Sequence, residues 1–116
     1  MTFILRKLYG ENVVVRFKPK YYPYTEPSIG VDISCTNCQG AGCVACHHAG
    51  WVTLMGAGMI HRSILELFGI NDPQVRGFAF GFGLTRMVSQ YLGIARIRSL
   101  YENDQRLFES IQRTGL

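Results

Sequence analysis

The chain of 116 residues has no apolar run long enough to span a membrane, and its N-terminus carries no signal-peptide pattern. Long runs of Lys or Arg are also missing, and the net charge of +4 is mild. Such a balance permits an anionic partner, a tRNA or a nucleotide, without demanding one. No internal repeat or low-complexity segment is visible. Charged residues are only 17% against 47% hydrophobic, which marks a globular chain rather than a disordered one. At 13.1 kDa it holds at most one domain with a modest core. Cysteine is absent everywhere except Cys35–Cys46. Four thiols crowded there suit a metal site in a reducing, cytosolic compartment better than a secreted disulfide framework.

What is present is organised around Gly77–Arg86, GFAFGFGLTR. With period two, positions 77, 79, 81 and 83 are Gly, Ala, Gly and Gly, while 78, 80 and 82 are Phe. A strand sends alternate side chains to opposite faces, so one face is aromatic and suited to a core, and the other is nearly bare backbone. The bare face admits either a flat ligand or a closely packed helix, and the strand alone does not separate these.

Around it, residues 2–9 have helical spacing, with Thr2 as N-cap and Gly10 as stop; the amphipathic pattern reads as the tail of a longer helix. Residues 13–17 are a β-branched strand. Residues 18–28 hold three prolines and are expected to form a stiff extended loop. Residues 29–34 alternate as a strand, with Val31 and Ile33 on one face and Asp32 on the other. Trp51–Met55 resumes that strand and runs on through small residues to Ile60, so residues 35–50 form an elaborated hairpin tip. Short helices are expected over 62–68 and 84–92, the second with Leu84, Met87, Val88 and Tyr91 on one stripe. Residues 94–100 are expected to be partly extended. A last helix spans 102–113, capped by Asn103 or Asp104, with Leu107, Phe108 and Ile111 on one face. The sum is an α+β fold, an antiparallel sheet with flanking helices.

Cys35-x2-Cys38-x4-Cys43-x2-Cys46 offers two chelating pairs, and Gly40 and Gly42 supply bends that bring them together. Four thiolates complete a closed tetrahedral shell, which points to a structural zinc. His47 and His48 are expected to face solvent. The bland alternative is four reduced, unligated thiols. The segment Cys35–Gly42 also resembles the repeat of DnaJ-type chaperone zinc domains, over a small part of the chain.

Four segments occur in order: KPKYYPYTEPS (18–28), GAGMIH (56–61), GFAFGFGLTR (77–86) and YEND (101–104). Together they resemble the C-terminal part of the catalytic α chain of phenylalanine–tRNA ligases, class II aminoacyl-tRNA synthetases. The resemblance implies a partial class II catalytic domain over residues 1–116, with a zinc-hairpin insertion at 35–50. By the same resemblance Arg86 matches the third-motif arginine that pairs with ATP phosphate, and Glu26 the glutamate that helps hold Mg²⁺. Tyr22 and Tyr24 match the aromatic pair around the substrate phenyl ring, where bacterial members usually have Phe. Ala79 matches the small residue of the pocket floor, and Gly81 and Gly83 underlie adenosine. Without the resemblance these would be read as a surface Arg, a loop carboxylate and ordinary tyrosines.

The implied reaction is two-step, with phenylalanine, ATP and tRNA as substrates and Zn²⁺ as a structural ion. The chain also departs from the family. Motifs one and two have no counterpart, Thr85 stands where Glu is usual, and Arg62-Ser63 stands for Pro-Asn. It is therefore expected to be a poor ligase alone and to need a partner synthetase chain; exposed sheet edges also allow a homo-oligomer. The competing readings are a non-catalytic paralogue binding a nucleotide or aminoacyl ligand, and a zinc-stabilised DnaJ-like interaction module.

Overall fold

A computed structural model describes residues 1–113. Helix α1, Thr2–Tyr9, buries Leu5 and ends at Gly10, whose φ of 93° is open to glycine and whose N–H bonds to the Arg6 carbonyl at 2.8 Å. Thr2 lies inside the helix rather than capping it; Met1 holds the cap position with no side-chain bond. Four antiparallel strands follow: β1 Val15–Pro19, β2 Thr25–Ser34, β3 Trp51–Ile60 and β4 Phe78–Phe82, in the spatial order β1-β2-β3-β4. Ser34 pairs with Trp51, so β2 and β3 are the two arms of the expected hairpin.

The stiff loop expected over 18–28 is shorter than its prolines suggest. Pro19 closes β1, an edge strand where a missing donor costs little. Pro27 lies within β2 at an irregularity between Thr25 and Ser28, where the ladder to β3 skips two residues. Val13 and Val14 precede β1, and Val13 turns into the core.

That core is Leu5, Val13, Val31, Ile33, Leu54 and Met55, with Tyr9 and Met87 packed against it. The Tyr9 hydroxyl donates to the Met87 carbonyl at 3.0 Å, which ties α1 to α3, Leu84–Tyr91. The predicted α3 stripe is corrected. Met87 packs against the core and Val88 is half-buried, but Leu84 and Tyr91 are exposed, and the buried α3 residues are Ser89 and Gln90. The hairpin base explains this, because Thr36 donates to Gln90 from its N–H (3.2 Å) and from its hydroxyl (2.8 Å to the carbonyl). A polar contact therefore docks the helix.

The phenylalanine face of β4 does not join the core: Phe78, Phe80 and Phe82 are 72%, 54% and 39% exposed. The core reaches only as far as Met55, the partner of Phe82, and β4 lies at the sheet edge. Helix α2 is Arg62–Leu67, followed by Gly69 at φ 77°. Residues 94–100, expected to be partly extended, contain a 3-10 turn at Ile97–Leu100 instead. Helix α4 is Gln105–Arg113, later than Glu102; Asp104 Oδ1 accepts the Arg106 N–H at 3.0 Å, and Asn103 has φ 53°.

Candidate functional site

The bare faces of β3 and β4 meet in register. Gly56 pairs with Gly81 and Gly58 with Ala79, while Gly30 on β2 pairs with Gly56. The two readings of the glycines separate by position. A Cβ at Gly77 would come within 2.8 Å of Ile60 Cδ1, and one at Gly58 within 2.7 Å of Thr25 Cβ, so these glycines serve packing. Among the described residues, a Cβ at Gly81 would meet nothing within 4 Å, and one at Gly83 only the Arg86 side chain. A Cβ at Gly56 would collide with the Tyr22 hydroxyl.

The Tyr22 ring lies over that strand because glycine leaves room for it. Tyr22 and Tyr24 stack, with centroids 5.8 Å apart. Together with Thr25, Gly56, Ala57, Ala79, Phe80 and Gly81 they line a cavity of about 290 Å³. Aromatic walls over a polar-poor floor suit a flat apolar group.

The other expected residues stand apart from this cavity. Arg86 is in the first turn of α3 and donates from Nη1 to the Thr53 carbonyl at 3.2 Å. It lines a second cavity of about 360 Å³, bounded by Arg16, Lys18 and Asp32 and by hairpin residues 45–47 and 49. Glu26 is 78% exposed, with His61 Nε2 3.4 Å from its carboxylate, and borders neither of these two cavities. The positions that depart from the family are engaged locally. Thr85 Oγ1 lies 2.6 Å from the Tyr101 hydroxyl, Arg62 bonds Glu66 (3.0 Å) and the Asp72 carbonyl (2.8 Å), and Ser63 Oγ lies 2.7 Å from His61 Nδ1.

Sequence reasoning missed the network at Asp32, expected only on the face away from the core. Its side chain is 1% exposed, and it accepts hydrogen bonds from Thr53 (2.7 Å) and Arg16 (3.0 Å) and pairs with Lys18 at 2.9 Å. Burial pushes its carboxyl up, but the bonds from Lys18, Thr53 and Arg16 outweigh that and hold it below the usual carboxylate range. The available signal was Arg16-x-Lys18 at strand period opposite a lone Asp.

The four cysteines converge. Their sulfurs all lie within 4.8 Å of one another, at 3.7 Å for Cys35–Cys43 and 3.8 Å for Cys38–Cys46 and for Cys43–Cys46. A tetrahedral zinc with bonds of about 2.3 Å sets its sulfurs about 3.8 Å apart, so the donors fit that ion. Backbone N–H groups of Gly42, Cys43 and Gly50 point at the Cys38 and Cys46 sulfurs at 3.1–3.3 Å. Without a cation, burial raises the Cys35 thiol to about 12. Cys46, although desolvation opposes it, is lowered to about 6 by N–H bonds from Cys43 and Gly50. Gly40 and Gly42 take φ of 90° and 102° at the bends, and His47 and His48 are exposed.

The phenylalanine–tRNA ligase alpha subunits of Streptococcus mutans and Enterococcus faecalis are 45% and 42% identical over 109 and 112 residues, 94% and 97% of this chain. That of Streptococcus pyogenes serotype M49 is 44% identical over 109 residues. The chain spans about a third of these relatives, 31%, 32% and 31% of their lengths. The family of class II tRNA synthetase core domains (F) matches residues 1–111, the whole sheet and its hairpin included, and the chain belongs to that family.

Proposed function

We propose that this chain is the phenylalanine-binding and ATP-binding segment of a phenylalanine–tRNA ligase α subunit, acting in tRNA aminoacylation. The observation that carries it is the stacked Tyr22–Tyr24 pair above the open Gly81 floor, with Ala79 facing the same cavity. The substrate phenyl ring enters between them, and Ala79 limits the space at its para position. Gly81 and Gly83 leave the main chain bare for adenosine, and Arg86 at the start of α3 takes an ATP phosphate.

In the first step a phenylalanine carboxylate oxygen attacks the α-phosphorus and pyrophosphate leaves; in the second a hydroxyl of the tRNA terminal ribose attacks the adenylate carbonyl, the acyl–phosphate bond breaks and AMP leaves. No covalent nucleophile is required, because positioning and charge stabilisation carry both steps. Glu26 would hold Mg²⁺, which when bound supplies charge neutralisation at phosphate; its carboxylate stands outside the two cavities, exposed beside His61, and is open to a cation that takes its other ligands from phosphates and water. Cys35, Cys38, Cys43 and Cys46 hold a structural Zn²⁺ that pins the 35–50 hairpin within the partial catalytic core of 1–116. Motif-two chemistry comes from a further stretch of synthetase chain or from a partner synthetase polypeptide, in the cytoplasm.

Thermal shift with phenylalanine and with a non-hydrolysable phenylalanyl-adenylate analogue tests this. Each should raise the melting temperature, and Ala79→Val should remove both shifts while leaving zinc content unchanged. A melting temperature that moves with neither ligand would reject the reading.

A further inference from the structure

The second cavity holds more positive charge than its one carboxylate balances. Arg16 and Lys18 stand two apart on β1, so both project to one sheet face, and Arg16 is the register partner of Asp32. Asp32 Oδ2 takes both cations, at 3.0 Å from Arg16 and 2.9 Å from Lys18, while Oδ1 is occupied by Thr53. The Arg16 guanidinium also lies 4.1 Å over the Trp51 ring, and Lys18 Nζ donates to Thr53 Oγ1 at 3.0 Å. Arg86 reaches the same cavity through the Thr53 carbonyl and has no carboxylate within ion-pair distance among the described residues. Three cations thus face one anion around about 360 Å³. A purely structural ion pair has no use for the surplus, and concentrated like charge weakens the fold.

The same face carries the tyrosine cavity. Lys18 stands in one cross-strand row with Gly30, Gly56 and Gly81, and its stem crosses Gly30, where a Cβ would come within 3.3 Å of Lys18 Cε. We propose that Arg16 and Lys18 join Arg86 in binding the polyphosphate tail of the nucleotide, with Asp32 as the positioning residue that holds both side chains against the sheet. This rests on the reading of Arg86 as a phosphate-binding arginine. Several fixed donors around one open cavity suit a multiply charged anion better than a single carboxylate. Pyrophosphate, the leaving group of the first step, carries most of that charge.

Calorimetric titration of the full chain with inorganic pyrophosphate tests the assignment. The wild type should bind it, and the Arg16→Met/Lys18→Met variant should bind at least tenfold more weakly, with phenylalanine affinity changed less than twofold. Equal pyrophosphate affinity in a folded variant overturns the proposal and makes the network structural. Should the variant not fold, competition on the wild type decides: ATP must displace pyrophosphate, whereas adenosine and phenylalanine must not. Displacement by an RNA hairpin but not by ATP overturns it in favour of nucleic-acid backbone contact. Phenylalanine binding without pyrophosphate binding removes this inference alone, and binding of neither removes the ligase reading with it.

Discussion

Tyr22 occupies its position only because residue 56 has no side chain. Gly56→Ala would drive a methyl into the Tyr22 hydroxyl, push the ring off β3 and open the stacked pair. Phenylalanine binding should weaken by about tenfold, on the order of the 1–3 kcal/mol that one mispacked group costs a pocket, read by calorimetry. Gly81→Ala meets no atom of the described residues within 4 Å, so it should fold normally and lose affinity for both phenylalanine and the adenylate analogue, because its methyl enters the cavity floor. Asp32 gives a pH signature. Its folded-state carboxyl is held below the ordinary range, so its stabilisation is complete above about pH 4 and disappears as pH falls through the lower folded value. The melting temperature between pH 5 and pH 2 should fall more steeply for the wild type than for Asp32→Asn. Parallel curves would mean that Asp32 contributes no such linkage. The sequence showed Asp32 on the face away from Val31, but its burial comes from Arg16, Lys18 and Thr53 arriving on two neighbouring strands.

At the scale of elements, hydrophobic periodicity located most of the chain well, because period two and period 3.6 are local properties. The β2–β3 hairpin, the glycine stops at 10 and 69 and the strand at 78–82 were all legible. Of the apolar stripe read on helix α3 only Met87 packs against the core, and the helix also docks through Gln90 onto Thr36, a contact 54 residues away that no local pattern encodes. Gln90→Ala should therefore cost about 1–3 kcal/mol in urea unfolding, since it strips the Thr36 N–H of its buried partner. The cysteine hairpin was readable from spacing alone, because two C-x2-C turns leave few other arrangements. Cys38→Ser should lower the bound zinc measured by mass spectrometry and the melting temperature together, and chelation of the wild type should reproduce the latter. A variant that melts like the wild type would remove the metal from the account of hairpin stability.

For the whole molecule, β4 leaves one edge of the sheet unpaired among the described residues, with three phenylalanines open beside it. Such a surface associates when concentrated. Sedimentation should show self-association rising with concentration, reduced by Phe80→Asp, and a single unchanging species for both proteins would contradict this. The exposed face also shows where pattern reading stops. Alternation correctly divided residues 77–83 into an aromatic and a bare side, but whether the aromatic side is covered depends on what packs there, and among the described residues the core ends at Met55. Most of each strand, the metal-type cysteine spacing and the order of motifs were legible along the chain, because each depends on residues near one another in sequence. Tertiary structure alone decided which glycines are floor and which are packing, and set Tyr22 over Gly56. It alone also brought Arg16, Lys18 and Arg86 to one cavity and buried Asp32 against the first two, because register and cross-strand neighbours are fixed only when distant segments meet.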